Sequence, residues 1–343
     1  MAKFKRILTF VVIGMGVLGT VGVNLVAWRQ VIAMTHFVEE RDTAKGRTRP
    51  PEELNPIEKA QVIVTGTRVP RPRNTKTPKD FGLDYSRHEL QTKRGDRLEA
   101  WMIQPANAST VFLLFHGYAS SKASLLPLAE ALVQQGYATF LVDFYGSGGS
   151  SGNSTSIGYY EALDVQAAHE YVIAQWPQQK TVFYGFSMGG AAVMRAVAVG
   201  NLQPDGAIVE STFDSLLNTV SIRFTAMELP PRPLADMLLV WGGIHWGFNP
   251  YRHNPADYAR GVTVPTLVFY GEGDRRVIAE EAAAIYTALP GWKRYWLFPN
   301  GGHGLKVRHN PERWQQAISE LMVKIEEQSR RQETEVRKQK GKG

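Results

Sequence analysis

The apolar positions fall into short runs separated by amphipathic stretches. Residues 98–103, Leu-Glu-Ala-Trp-Met-Ile, read in strand fashion. Residues 111–115 and 138–142 are almost continuously apolar, and 181–184, 207–209, 266–270 and 295–298 are further short β-rich runs. Helical periodicity fills 124–135, 158–175, 189–199, 278–289 and 311–327. Strands that alternate with helices predict an α/β fold with a mostly parallel sheet covered on both faces. Continuously apolar strands fit burial on both sides. This body runs from residue 81 to about 325, with an insertion over 213–258 that is rich in aromatic residues and proline.

The ends have a different character. Residues 7–28 contain no Asp, Glu, Lys or Arg. A helix of 22 such residues spans about 33 Å, enough to cross a bilayer. Lys3, Lys5 and Arg6 precede the run, so residues 1–28 are expected to be a membrane anchor with a cytoplasmic N-terminus and the body on the periplasmic or extracellular side. The alternative is a cleaved signal peptide and a secreted protein. Residues 29–80 are rich in Pro, Arg, Lys and Thr and predict a basic linker. Residues 326–343 predict a charged tail.

Charge sharpens this division. Residues 1–80 carry 14 Lys and Arg against 7 Asp and Glu, and 324–343 carry 7 against 4, so the region between is slightly acidic. A nucleic-acid enzyme more often has its basic patch on the folded body, and no nucleic-acid partner is expected. The absence of cysteine excludes disulfides, thiolate catalysis and Cys-ligated zinc.

The candidate chemistry begins at Gly185-Phe186-Ser187-Met188-Gly189, between a strand and a helix. A serine on that turn projects its hydroxyl above the sheet, and the small flanking residues let strand and helix approach. Serine is a poor nucleophile without a base. His303, in Asn300-Gly301-Gly302-His303-Gly304, follows the last strand on a loop at the carboxyl edge of the sheet. A lone histidine in a Gly-rich loop is usually only a surface residue, but the chain order Ser, Asp, His favours a base. Asp274 follows the strand 266–270 and is the expected acid that orients the imidazole, with Glu210 and Glu272 as alternatives. Asp143 precedes Ser187 in the chain and is expected to order the loop 146–152. That Gly/Ser loop lacks the Gly-Lys-Ser/Thr ending of a phosphate loop.

An oxyanion needs two backbone N–H donors. Met188, directly after the serine, and Tyr118, after His116-Gly117, are the candidates. Met227, Leu229, Trp241, Trp246, Phe248 and Tyr251 in the insertion would suit an apolar substrate, or simply pack a core.

Together these motifs resemble the α/β-hydrolase superfamily, particularly its monoglyceride-lipase and serine-aminopeptidase-like branch. The resemblance rests on His116-Gly117-Tyr118, Asp143 with its Gly/Ser loop, Gly185–Gly190, Gly271–Val277 and Gly302-His303-Gly304, and covers roughly 83–325. The segment from Ala33 to Phe37 onward looks like the N-terminal region of membrane-attached bacterial hydrolases. The resemblance implies an eight-stranded, mostly parallel sheet, no metal and no organic cofactor. The oxyanion loop departs from the pattern, with one glycine after the histidine instead of three, and the insertion is short for a lipase lid. The expected reaction is hydrolysis of a small-molecule carboxylic ester through an acyl-enzyme on Ser187. The alternatives are an amide or peptide hydrolase and a non-catalytic, membrane-tethered scaffold.

Overall fold

A computed structural model describes residues 2–39, 47–49 and 53–340, with side chains from residue 19 onward except at 336, 339 and 340. The chain divides into two compact units. The larger comprises residues 71–219 and 253–343, and the smaller comprises residues 1–70 and 220–252.

The larger unit is built on an eight-stranded sheet of order β1-β2-β4-β3-β5-β6-β7-β8. The strands are β1 (Ser86–Gln91), β2 (Arg97–Ile103), β3 (Thr110–Phe115), β4 (Ala138–Val142), β5 (Lys180–Phe186), β6 (Gly206–Glu210), β7 (Thr266–Gly271) and β8 (Lys293–Phe298). The β1–β2 and β2–β4 pairs are antiparallel, and every other pair is parallel.

The continuous apolar runs are central strands whose alternate side chains feed two cores. From β3, Val111, Leu113 and Phe115 enter one core. It also holds Val165 and Val172 of α4 (Glu161–Gln175), Ala192 and Val193 of α5 (Met188–Ala198), and Ile285 of α9 (Ala279–Ala288). Phe112 and Leu114 enter the other core, with Leu128 and Leu132 of α3 (Leu126–Gln134) and Trp314, Ile318 and Leu321 of α11 (Pro311–Lys340). Each fully buried Leu or Phe stabilises the fold by roughly 1.5–3 kcal/mol, so these two layers hold the sheet rigid under the loops at its carboxyl edge.

Two features differ from expectation. Strand β1 has no apolar alternation, because it is an exposed edge strand held by its ladder to β2. The helix α11 continues through residue 340, across the segment expected to be a tail.

The smaller unit contains α1 (Ala2–Thr35), α2 (Pro56–Thr65) and α7 (Pro231–Trp246). The unit boundary falls within α6 (Leu216–Ala226), and α8 (Pro255–Ala259) returns to the larger unit. The described residues of 29–80 include the helix α2. Pro56 and a capping box between Asn55 and Glu58 start α2. Gln30 Nε2 donates to the Val62 and Ile63 carbonyls at 2.7 and 2.6 Å. From the insertion, Trp241 packs edge-on against Trp28 and donates its indole N–H to Asn24 Oδ1. Among the described residues no helix is long and apolar enough to cross a membrane. The first part of the uncharged run, residues 7–18, lies outside the residues whose side chains are described.

Candidate active site

All five expected site residues lie in the larger unit. Ser187 sits between β5 and α5 with φ 53° and ψ −116°. A non-glycine residue there is strained, and such strain persists only where the surroundings over-determine it. Here the Ser187 N–H donates to the Glu210 carbonyl on the neighbouring strand at 2.8 Å, and Gly190 N–H returns to the Ser187 carbonyl at 2.9 Å. The glycines make this turn possible. A Cβ at Gly185 would lie 2.5 Å from the backbone of Gly190, and one at Gly189 would collide with the Phe115 carbonyl.

His303 comes from the loop after β8. Its Nε2 is 3.1 Å from Ser187 Oγ, and its Nδ1 is 2.8 Å from Asp274 Oδ2 and 3.0 Å from Oδ1. A carboxylate facing Nδ1 keeps the proton there, which leaves Nε2 free to accept from the serine hydroxyl. Asp274 is buried, while Ser187 and His303 remain partly accessible. Its Oδ1 also accepts the N–H groups of Arg276 at 2.9 Å and Val277 at 3.1 Å. Burial pushes the Asp274 carboxyl up, but the His303 hydrogen bond and charge and the two backbone donors outweigh it. The net result lies below the usual carboxylate range.

The alternative acids do not reach the imidazole by any hydrogen bond found here. Glu210 spends its side chain on the Tyr184 hydroxyl and on Lys306 N–H at 2.6 Å. Glu272 accepts from Asn300 N–H at 3.3 Å.

Met188 is the first residue of α5, where a backbone N–H has no intrahelical acceptor and the helix end carries partial positive charge. The other candidate donor, Tyr118, follows Gly117. A Cβ at Gly117 would lie 3.4 Å from Ser187 Cβ, so this loop runs directly beside the serine. His116 shapes that loop from within the core. Its Nε2 accepts Phe144 N–H at 3.1 Å, which puts the proton on Nδ1 for donation to the Gly117 carbonyl at 2.9 Å. Burial keeps this imidazole neutral by lowering its pKa.

Asp143 accepts Lys122 N–H at 2.8 Å and Gly149 N–H at 2.8 Å and pairs with the buried Lys122 ammonium. It thus anchors the Gly/Ser loop, whose carbonyls at Gly148, Ser150 and Gly152 also accept from the Arg71 guanidinium. His253 is buried with Nε2 on the Ile157 carbonyl at 3.0 Å, and burial brings its pKa down to about 4. Among the described residues no group of three His, Asp or Glu side chains is arranged to hold a metal.

Sequence reasoning missed two buried ionic residues that support the site. Glu161 accepts from Thr155 Oγ1 at 2.6 Å and from the Ser156 and Gly158 N–H groups at 3.0 and 2.9 Å. It therefore fixes the loop whose Thr155 hydroxyl lies 3.3 Å from Met188 Sδ. In the sequence it looks like an ordinary acid in a first helical turn. The second is Lys306, three residues after His303, whose side chain is fully buried. A lysine in the helical spacing of Leu305 and Val307 carries no local signal of that burial.

Comparison with known proteins agrees with this architecture. A family model described as serine aminopeptidase, S33, matches residues 106–229, a span that includes Ser187 and ends before Asp274 and His303. Protein bem46 of Schizosaccharomyces pombe is 28% identical over 157 residues, covering 44% of this chain and 52% of that protein. The alpha/beta hydrolase domain-containing protein WAV2 of Arabidopsis thaliana is 30% identical over 154 residues, covering 43% of this chain and 48% of that one. The matched region thus spans about half the length of each of these relatives. Among solved structures, the esterase Pf2001 of Pyrococcus furiosus superposes with a TM-score of 0.64 at 24% identity, over 74% of this chain and 96% of that one.

Proposed function

We propose that this chain, which has the α/β-hydrolase fold, is a serine hydrolase that cleaves a carboxylic ester by way of an acyl-enzyme. The observation that carries this reading is the Ser187–His303–Asp274 chain of hydrogen bonds, with the acid buried and the serine accessible. Ser187 Oγ attacks the ester carbonyl as His303 Nε2 takes its proton. The N–H groups of Met188 and Tyr118 are the donors for the developing oxyanion. The imidazolium, held by Asp274, then protonates the leaving alcohol, and the neutral base activates water for deacylation. An ester is preferred because its alkoxide leaves more readily than an amide nitrogen, and the esterase named among the structural neighbours supports the same choice. The family description favours a second reading, hydrolysis of an amide at a peptide N-terminus.

The test is labelling with a fluorophosphonate, followed by a panel of p-nitrophenyl esters and aminoacyl anilides. Adduct at Ser187 that is lost in His303→Ala, with ester turnover, is the expected result. Turnover of anilides alone moves the assignment to the amide reading. Folded protein that takes no label removes the hydrolase reading and leaves a tethered scaffold. The uncharged run 7–28 supports attachment to a membrane, with the body on the non-cytoplasmic side. Release of the full chain from membranes by carbonate would refute that attachment.

A further inference from the structure

Lys306 lies on α10 (Lys306–His309), and its ammonium group is wholly enclosed. An ammonium has three donors. All three are used: on Ser211 Oγ at 2.9 Å, on the Gly302 carbonyl at 2.9 Å and on the Gly304 carbonyl at 3.0 Å. The two carbonyls belong to the residues on either side of His303. Gly302 and Gly304 are exposed glycines with no side chain to pack, so the backbone around His303 takes its position from hydrogen bonds. Further ties flank this stretch: Gly301 bonds to Phe298 and Gly273 on one side, and the Leu305 carbonyl accepts Arg308 N–H on the other.

Behind the ammonium lies Glu210, also fully buried. Its carboxylate accepts the Lys306 N–H at 2.6 Å, stands 3.9 Å from Nζ, and accepts the Tyr184 hydroxyl. Trp314 Nε1 in turn donates to that hydroxyl at 3.1 Å. The Glu210 main-chain carbonyl is the acceptor for Ser187 N–H. One residue thus ties together the backbone of the serine turn and the cation that grips the histidine loop.

Resting on the serine-hydrolase reading above, we infer that Lys306 is a positioning residue that, through Glu210, fixes the distance between His303 and Ser187. A buried cation and a buried anion could instead be only a fold-stabilising pair, and the two roles separate experimentally. Breaking a buried pair by removing one partner is strongly destabilising, whereas replacing both with neutral groups can be neutral. Lys306→Met is therefore expected to melt early, and Lys306→Met/Glu210→Gln, which strands no charge, is expected to recover part of that loss without regaining the two carbonyl contacts.

The experiment compares the full-length protein and the double variant for fluorophosphonate labelling, for kcat and KM on p-nitrophenyl butyrate, and for amide hydrogen exchange over 300–306. Misplacing a catalytic group by about 1 Å costs on the order of 100-fold. The double variant should label and turn over at least about tenfold more slowly with KM unchanged, and its 302–305 amides should exchange faster. Ser211→Ala, which removes one acceptor, should shift exchange in the same direction by less. Wild-type labelling, turnover and exchange in the refolded double variant would overturn the proposal. If the wild-type protein neither labels nor turns over esters, the hydrolase reading fails. The exchange data alone then decide whether Lys306 holds the loop.

Discussion

Replacing Asp274 with asparagine gives the sharpest consequence of this geometry. Asp274 Oδ1 accepts two backbone N–H groups, from Arg276 and Val277, while Oδ2 makes the shorter bond to His303 Nδ1. Only an oxygen can occupy the Oδ1 position, because an amide nitrogen there would face two donors. Leaving them unpaired costs roughly 1–3 kcal/mol each. The asparagine amide must therefore point its NH2 at His303 Nδ1. That nitrogen becomes an acceptor, the proton moves to Nε2, and the imidazole can no longer take a proton from Ser187. An aspartate-to-asparagine change that produces this wrong tautomer lowers turnover by about 10⁴-fold in a well-studied triad, equivalent to about 5 kcal/mol of transition-state stabilisation. Asp274→Asn should therefore lose three to four decades of kcat/KM on p-nitrophenyl butyrate. Because both backbone donors stay satisfied, its unfolding free energy should remain within about 1 kcal/mol of wild type. Asp274→Ala should lose activity and also roughly 2–4 kcal/mol of stability, since the two donors are then stranded. The reasoning is refuted if Asp274→Asn keeps more than about a tenth of wild-type kcat/KM, or if nitrogen NMR finds the His303 proton still on Nδ1.

Ser187→Gly removes the proposed nucleophile and also the strain of φ 53°, so calorimetry should find the variant, expected to be inactive, more stable by about 1 kcal/mol. Gly185→Ala places a Cβ 2.5 Å from the Gly190 backbone and should cost about 3 kcal/mol in urea unfolding, with activity lost because the serine turn must open. The Asp274 carboxyl is held below its usual range in the fold, so its contribution is present above the unfolded pKa and is lost as pH falls through the lower folded value. The stability difference between wild type and Asp274→Asn should accordingly narrow on acidification, read as melting temperature against pH. His116→Leu strands Phe144 N–H and the Gly117 carbonyl in the core and should cost roughly 2–4 kcal/mol, with slower fluorophosphonate labelling as the loop at Tyr118 loosens.

Much of the larger unit was legible from short-range pattern alone. The runs at 111–115 and 138–142 are apolar on both faces because each strand lies between two layers of helices, and such burial is written into consecutive residues. The serine turn was equally local, since strand, Gly-x-Ser-x-Gly and helix are contiguous and only small residues fit at Gly185 and Gly189. His303 and Asp274 could be named because parallel strands deliver the loops that follow them to one edge, whatever their separation in the chain. What pattern could not decide was which partner each buried charge meets. Glu210 and Asp274 both follow strands with acceptable spacing. Only the folded sheet turns one towards Lys306 and Tyr184 and the other towards His303. The edge strand β1 and the helical course of 326–340 also escaped, because neither carries the apolar period that burial imposes. The pairing of residues 220–252 with the N-terminal helix escaped for a related reason. Asn24 and Trp28 meet Trp241 across more than two hundred residues, and a contact that distant leaves no periodic trace in either segment. The sequence alone determined where backbone conformation and local burial demand particular residues. The tertiary structure decided which ionisable groups neutralise one another, because that depends on distances set by the packed sheet and not by neighbours in the chain.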